Sequence, residues 1–459
     1  MDGIRTSGQG RDPSTAKALK HGISLIDLVM LGAGTAIGAA IFSVLGPATQ
    51  VGGAGILISV GLAALPMVIF ALVYAYMASA APRTAASYEW QRRFTHPLIA
   101  FAVVWLRVLS NAVVMIVLVR VLVSYLGMVT TMPAVPIMVG AFTVIFLLNY
   151  LGVTIAARAQ TVLMLLLLAV FAVFVVSGAG RLRPHLFVEA ARGGWGPILA
   201  ALPLMIQLFL GIETATEVGE EVDNPRTTVP LGVALALILT VVVYLTISFT
   251  ALSLVGPRAL ATSPAPLLTA AKVTLGHWAT PLIVVAAVLA LAKSMNAVFL
   301  VYTRFLFAMG RSGVLPAALG RIHPRFGTPY VATIIAYLAS MSCLLLPSSL
   351  LFLLLAVNIP TMMKYLGSCL AAYVVADRHP EVQAQARLRF SPGLVKALAG
   401  AGMACAVVIA ALGFGTDWRP YLLLGVWLAA GLAYYAVRQR GEGRGLWSRN
   451  EAARVDLED

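Results

Sequence analysis

Charge is scarce in this 459-residue chain: Asp, Glu, Lys and Arg make up 11% of it, against roughly 25% in a soluble protein. With 60% hydrophobic residues and a mean hydropathy of +0.92, it has too little polar surface for a water-soluble fold and too much apolar surface for disorder. Acids are scarcer still, 18 against 32 Lys and Arg. In a soluble protein the resulting +14 would point to nucleic acid. Here most of the cations sit in short segments between apolar runs, where they orient a membrane protein, so no nucleic-acid partner is expected. Cysteine is nearly missing: Cys343, Cys369 and Cys405 lie in apolar stretches without metal-ligand spacing and read as core residues. No GxSxG, HExxH or Walker-type Gly-Lys-Ser/Thr run occurs. No catalytic residue, cofactor or metal is therefore expected, and the chain by itself is not an ATP-driven pump.

What is present is long apolar runs. A spanning helix needs about 20 mainly apolar residues, and twelve windows qualify: 25–48, 55–79, 98–126, 134–152, 159–178, 198–218, 231–255, 279–303, 329–346, 351–374, 397–415 and 421–437. The expected fold is an all-α polytopic membrane protein of twelve transmembrane helices. Between them, one set of alternate loops with the tails holds 22 Lys and Arg, the other only six, Arg181, Arg183, Arg192, Arg258, Lys272 and Arg419. Positive loops stay inside, so both termini are expected in the cytoplasm of a plasma-membrane protein. Residues 1–22 and 439–459 read as polar cytoplasmic tails, the first without the basic-then-apolar order of a signal peptide. Segment 82–97 reads as an amphipathic helix on the cytoplasmic face, with Tyr88 and Trp90 at the interface and Arg92 and Arg93 on lipid phosphates.

Two spans carry interruptions. GAGTAIGAAIF (32–42) puts small residues where a membrane helix usually has Leu or Val, either for close packing or for local unwinding that exposes backbone to a ligand. Span 6 repeats the theme: Gly211 sits in mid-membrane and is followed closely by an acid, Glu213. If 23–178 (spans 1–5) and 198–376 (spans 6–10) are inverted repeats, with spans 11 and 12 in 393–438, the interruptions occupy equivalent helices. Such a pair points to a transporter binding site. The backbone is expected to be unwound over 37–40 and 209–212, offering amides to an anion and carbonyls to a cation, which suits a zwitterion.

The strings GAGTAIGAAIF, APRTAASYEW (81–90), NYLGVTIAARAQ (149–160), FLGIETATEVGEEVDNPRTTVP (209–230), and YTRFLFAMGRSGVLP (302–316) with IHPRFGTP (322–329) occur in order. Together they make the chain similar to the amino acid, polyamine and organocation permease family, with the GEE tripeptide nearest its cationic amino acid transporter branch. The resemblance implies a five-plus-five inverted repeat with two extra helices and alternating access. It also implies an amino acid held between spans 1 and 6. The amides of Ala39, Ala40 and Ile41, beside Ile37 and Gly38, would then hold the substrate carboxylate. The carbonyls of Ala36, Phe209 and Gly211 would hold its amine, with Glu213 at the family's acidic position.

The chain departs from that pattern at several places. Gly38-Ala39-Ala40 ends in alanine where the family usually has glycine, and Gln207 stands where an aromatic gate is common, so the gate is either polar or formed by Phe209. The span 5 lysine of many proton-coupled members is missing from TVLMLLLLAV (161–170), while span 8 places Lys293 beside Ser294 and near Asn296. A buried amine is costly, and Lys293 is the suspected relocated cation surrogate, a permanent ion pair with Glu213 or Glu217 being the alternative. Lys364, in span 10, is expected to pair with a buried acid, and Glu217 either to pair with a cation or to lie on a proton route. Arg120 is expected to snorkel at the outer end of span 3. Arg107, one turn from Asn111, is left open between structure and function. Glu220, Glu221, Asp223 and Arg226 form either a gating network or a solvated end. The expected activity is proton-coupled symport of an amino acid or related amine, with obligate exchange and non-transporting sensing as the alternatives.

Overall fold

The computed structural model describes residues 22–38, 40–263, 265–345, 350–414 and 418–441. The α-helices run α1 (Leu25–Ala36), α2 (Ala40–Gly52), α3 (Ile56–Ala80), α4 (Ala86–Phe94), α5 (Pro97–Leu126), α6 (Ala134–Leu151), α7 (Val153–Gly178), α8 (His185–Arg192), α9 (Trp195–Ile206), α10 (Pro225–Thr262), α11 (Pro266–Leu275), α12 (Ala279–Arg311), α13 (Tyr330–Ser342), α14 (Leu350–Arg378), α15 (Pro380–Gln385), α16 (Pro392–Phe414) and α17 (Arg419–Gly441). Among the described residues there is no β-strand, only the isolated bridges Ile23 to Val222 and Thr84 to Val218. Among the described residues ten helical stretches are long and apolar enough to cross a membrane, and the bent pair Trp195–Leu202 with Leu204–Glu217, taken as one span, makes an eleventh. The window expected at 329–346 falls short. Its helix, α13, has 13 residues, about 20 Å at 1.5 Å per residue, before the 3₁₀ turn Cys343–Leu345.

The helices sort by how much of themselves they bury. α5 and α12 are enclosed along most of their length, whereas α6 and α7 leave Val144, Leu147, Leu165, Val173 and Val176 exposed, the apolar exterior that lipid requires. α12 packs against α1, α5 and α7, and α14 against α3, α5 and α16, so α1, α5, α12 and α14 surround the centre of the bundle. Cys369 is buried, and Cys343 and Cys405 are only half-buried.

Segment 82–97 is not a surface helix. α4 is enclosed among α5, α14 and the chain after Gly211, with Tyr88 and Trp90 fully buried and Arg92 nearly so. Tyr88 shares a 2.7 Å hydrogen bond with Ser312, and the Trp90 indole donates to the Ala81 carbonyl at 2.7 Å. Arg92 and Arg93 meet Glu89 of their own helix at 2.9 and 3.0 Å instead of lipid phosphates. Burial pushes the Glu89 carboxyl up, but Arg92 and Arg93 outweigh it and hold the group below its ordinary value. An amphipathic pattern records two different surroundings without saying whether the apolar one is lipid or protein.

Candidate functional site

α1 starts on a reciprocal cap. Asp27 N donates to Ser24 Oγ at 3.2 Å and Ser24 N to Asp27 Oδ2 at 3.3 Å. Gly22 N and Ile23 N both donate to the Glu221 carbonyl at 3.2 Å, which fastens the start of span 1 to the end of span 6. The helix stops at Ala36. Ile37, with ψ 68°, leaves the helical region, Gly38 N turns back onto the Ala36 carbonyl at 2.7 Å, and helix resumes at Ala40. Packing and unwinding both explain the small residues, at different positions: Gly32 and Gly34 lie too close to Ile212 O and the Gln160 amide for a Cβ, while a Cβ on Gly38 would collide with the Ser294 hydroxyl.

Span 6 breaks opposite. After α9 and the 3₁₀ turn Gln207–Phe209, Leu210 is extended and Gly211 has φ 106°, then the chain tightens into the 3₁₀ segment Ile212–Glu217. Gly211 is required twice over: its φ suits residues without a Cβ, and a Cβ would stand 2.5 Å from Thr35 Cγ2. Glu213 folds back over the turn and accepts from Gly211 N at 3.2 Å.

Breaking span 1 frees carbonyls, and those of Gly34, Ala36 and Ile37 have side-chain partners. Lys293 Nζ donates to Gly34 O at 2.6 Å and to Ile37 O, with Ser294 Oγ at 3.4 Å from Gly34 O. Tyr244 OH donates to Ala36 O at 2.6 Å. Lys293 is fully buried, and among the described residues no carboxylate lies within ion-pair distance of it. The pairing with Glu213 or Glu217 is made by Lys364 instead, at 2.6 and 3.6 Å. Tyr365 OH donates to the second Glu213 oxygen at 2.5 Å, and Ser87 donates to Glu217 through both its amide, at 3.1 Å, and its hydroxyl. Charges taken out of water need this degree of satisfaction to persist.

Between the breaks lies one cavity of about 210 Å³, bordered by Thr35, Ala36, Gly38 and Ala40 of span 1, Gln207, Leu210, Gly211, Glu213 and Thr214 of span 6, and residues of α5, α12 and α14. The restart of α2 presents the positive end of a helix to it, and the end of the first half of span 6 a negative one, the polarity that an α-amino acid matches. Of the residues singled out in the sequence, Ala36, Gly38, Ala40, Gln207, Gly211, Glu213 and Ser294 border the cavity. Ile37, Ile41, Phe209, Glu217 and Lys293 are buried behind its wall, and Ala39 lies outside the described residues. Phe209 packs edge-on against Tyr244, with ring centroids 5.7 Å apart, and does not border the cavity, whereas Gln207 and Leu210 do. Sequence reasoning passed over Tyr244 and Tyr365; their only signal was a phenol amid apolar residues at membrane depth.

On the side that carries the basic loops, two ion pairs join the end of span 6 to α12. Arg304 and Glu221, both buried, form a bidentate pair at 2.9 and 3.0 Å, and Arg311 joins Glu220 at 3.1 Å. Arg226 instead binds Gln385 at 2.8 Å, and the Asp223 carbonyl accepts from Thr228, so of these four residues only Glu220 and Glu221 form ion pairs among the described residues.

A family model described as amino acid permease matches residues 23–427. A branched-chain amino acid permease of Bacillus subtilis is 28% identical over 93% of this chain and 95% of its own length. A methylthioribose transporter of the same organism is 26% identical over 93% and 95%. The human cationic amino acid transporter 4 is 25% identical over 70% of this chain and 55% of its own.

Proposed function

From its membership of the amino acid permease family, which makes the chain a multi-pass membrane transporter of amino acids and not an enzyme, we propose that it imports its substrate together with a proton. The membrane is the plasma membrane, with both termini in the cytoplasm, as the 22-to-six division of basic residues favours. The substrate's carboxylate faces the restart of span 1 around Gly38 to Ile41, and its ammonium faces the carbonyl end at Phe209 to Gly211.

The observation that carries the coupling is Lys293, a buried amine whose acceptors are the two carbonyls on either side of the span 1 turn. Protonated, it ties α12 to the broken helix next to the substrate. After giving up its proton, the nitrogen keeps two N–H donors but loses its charge, so its bonds to the two carbonyls weaken and the tie loosens, and proton occupancy and the position of span 1 share one element. Coupling requires such a shared element, since a ligand shifts a conformational equilibrium only through differential interaction with the two states. Absence of a span 5 lysine leaves this position free to take that role.

The test is uptake into proteoliposomes with and without an inward proton gradient, for wild type and Lys293→Met. Wild type should accumulate amino acid against its gradient when the proton gradient is imposed; Lys293→Met should retain counterflow but not accumulate. An unchanged gradient response in active Lys293→Met protein overturns the coupling role. Counterflow without any gradient-driven accumulation in wild type identifies an exchanger.

A further inference from the structure

Of the two cations on the cavity wall, only Lys364 has a carboxylate in contact. Arg107, Lys364 and Glu213 are the charged residues that border it. Glu213 is already saturated: one oxygen accepts from Lys364 at 2.6 Å, the other from Tyr365 at 2.5 Å and Gly211 N at 3.2 Å. Glu217, behind the wall, also leans on Lys364. Arg107 has no such partner. Its guanidinium donates to Thr361 at 2.6 Å, Ser110 at 3.3 Å and Asn111 at 2.9 Å, all neutral, and its Nε has no hydrogen-bond partner. Among the described residues no carboxylate comes within ion-pair distance of it.

A guanidinium deep in a membrane protein whose hydrogen-bond partners are all neutral, with Glu213 and Glu217 acting on it only through space, is costly unless something anionic meets it. The three neutral contacts do not discharge it; they fix the plane of the group between α5 and α14. Of the five N–H donors of an arginine, those contacts use three, which leaves one N–H on Nη2 and that of the buried Nε, the side-by-side pair that matches a carboxylate. The same cavity reaches from Gly38 and Gly211 to Arg107 and Thr361, so a molecule held at the two breaks by its backbone ends has its side chain directed into the space beside Arg107.

Resting on the reading of the site as an amino acid carrier, we propose that the transported amino acid is acidic, with its side-chain carboxylate read by Arg107. Cationic side chains are disfavoured because the one acid on the wall is spent and two cations face them. An aliphatic side chain would fit the valines of the wall but would leave Arg107 desolvated and unpaired. The assignment differs from the branched-chain and cationic substrates in the names of its relatives, and it rests on Arg107, not on the backbone groups that any amino acid would use.

The experiment is a competition panel on the full chain in proteoliposomes. Labelled glutamate, aspartate, glutamine, leucine and arginine are compared for counterflow in wild type, Arg107→Gln and Arg107→Lys, with ligand-induced thermal shift in detergent as a second readout. Wild type should prefer glutamate or aspartate. Arg107→Gln should lose that preference by roughly 30-fold or more while keeping glutamine, and Arg107→Lys should retain part of it. Wild type that moves leucine or arginine but not the acidic pair overturns the assignment while the carrier reading stands. Arg107→Gln that weakens every substrate equally also overturns it, since Arg107 then holds the α-carboxylate or only the fold. No movement and no thermal shift with any amino acid removes both readings.

Discussion

Lys364 Nζ stands 2.6 Å from Glu213 and 3.6 Å from Glu217, one buried cation shared by two acids that lie four residues apart. It joins α14 to the second half of span 6, and through Glu217 and Ser87 to α4. Removing one member of a buried pair costs about 3–5 kcal/mol, because the other charge is left behind. Lys364→Met should therefore destabilise more than either glutamine substitution, since it leaves two carboxylates together. Glu213→Gln should reduce transport more than Glu217→Gln, because only Glu213 borders the cavity and caps the Gly211 turn. Melting temperatures in detergent and initial uptake rates of the three variants decide both points; equal or reversed transport losses would assign the working acid to Glu217.

Gly38 and Ser294 are in closer contact than a β-carbon allows. Gly38→Leu should abolish transport in a folded, membrane-inserted protein. Gly38→Ala alone should destabilise by about 1–3 kcal/mol, the usual range for overpacking. Gly38→Ala with Ser294→Ala should recover most of that loss, since Ser294 Cβ itself stands 3.4 Å from the added carbon. Comparing the unfolding midpoints of the single and double variants checks it; no recovery would place the strain in the backbone instead.

The buried Arg304 to Glu221 pair joins α12 to the end of span 6. Glu221→Gln should break that link, lowering stability and, if the pair gates transport, slowing it at least tenfold, while the exchanged pair Glu221→Arg with Arg304→Glu should restore part of both. Uptake rates check this. If Glu221→Gln transports normally, the pair contributes only to folding.

α4 provides an acid-side prediction. The Glu89 carboxyl is held below its ordinary value by Arg92 and Arg93 against the opposing effect of burial. Its contribution to stability is thus present above the unfolded carboxyl pKa of about 4.3, and fades as pH falls through the lower folded value. Glu89→Gln should be less stable than wild type at neutral pH, with the difference shrinking in acid. A difference that stays constant down to pH 3 would remove the ionised carboxylate from the account.

Most of the helices were legible in the sequence because bilayer crossing imposes a length and a composition on a contiguous stretch. The break at Ile37 and Gly38 showed through Gly32, Gly34 and Gly38 for a similar local reason, as did Gly211 followed by Glu213. What was not legible is which partner each buried charge takes. Lys293 could as well have met Glu213, and only the packing of α14 beside span 6 gives that acid to Lys364. α4 was misplaced because its pattern of Tyr88, Trp90, Arg92 and Arg93 is the same whether lipid or α5 covers it. Tyr244 could not have been matched to Ala36 across 208 positions without the fold.

The turn at Ile37 and Gly38 looks at first like a loose place in the molecule, yet its carbonyls at Gly34, Ala36 and Ile37 are each held by a side chain from α10 or α12. Three carbonyls at the break thus have side-chain partners in place without a ligand. Ordering a flexible loop on binding is a recurrent entropic loss in recognition. Here that loss falls at folding, and a carrier that must release its cargo on every cycle gains selectivity from a rigid template without needing tight affinity to form it.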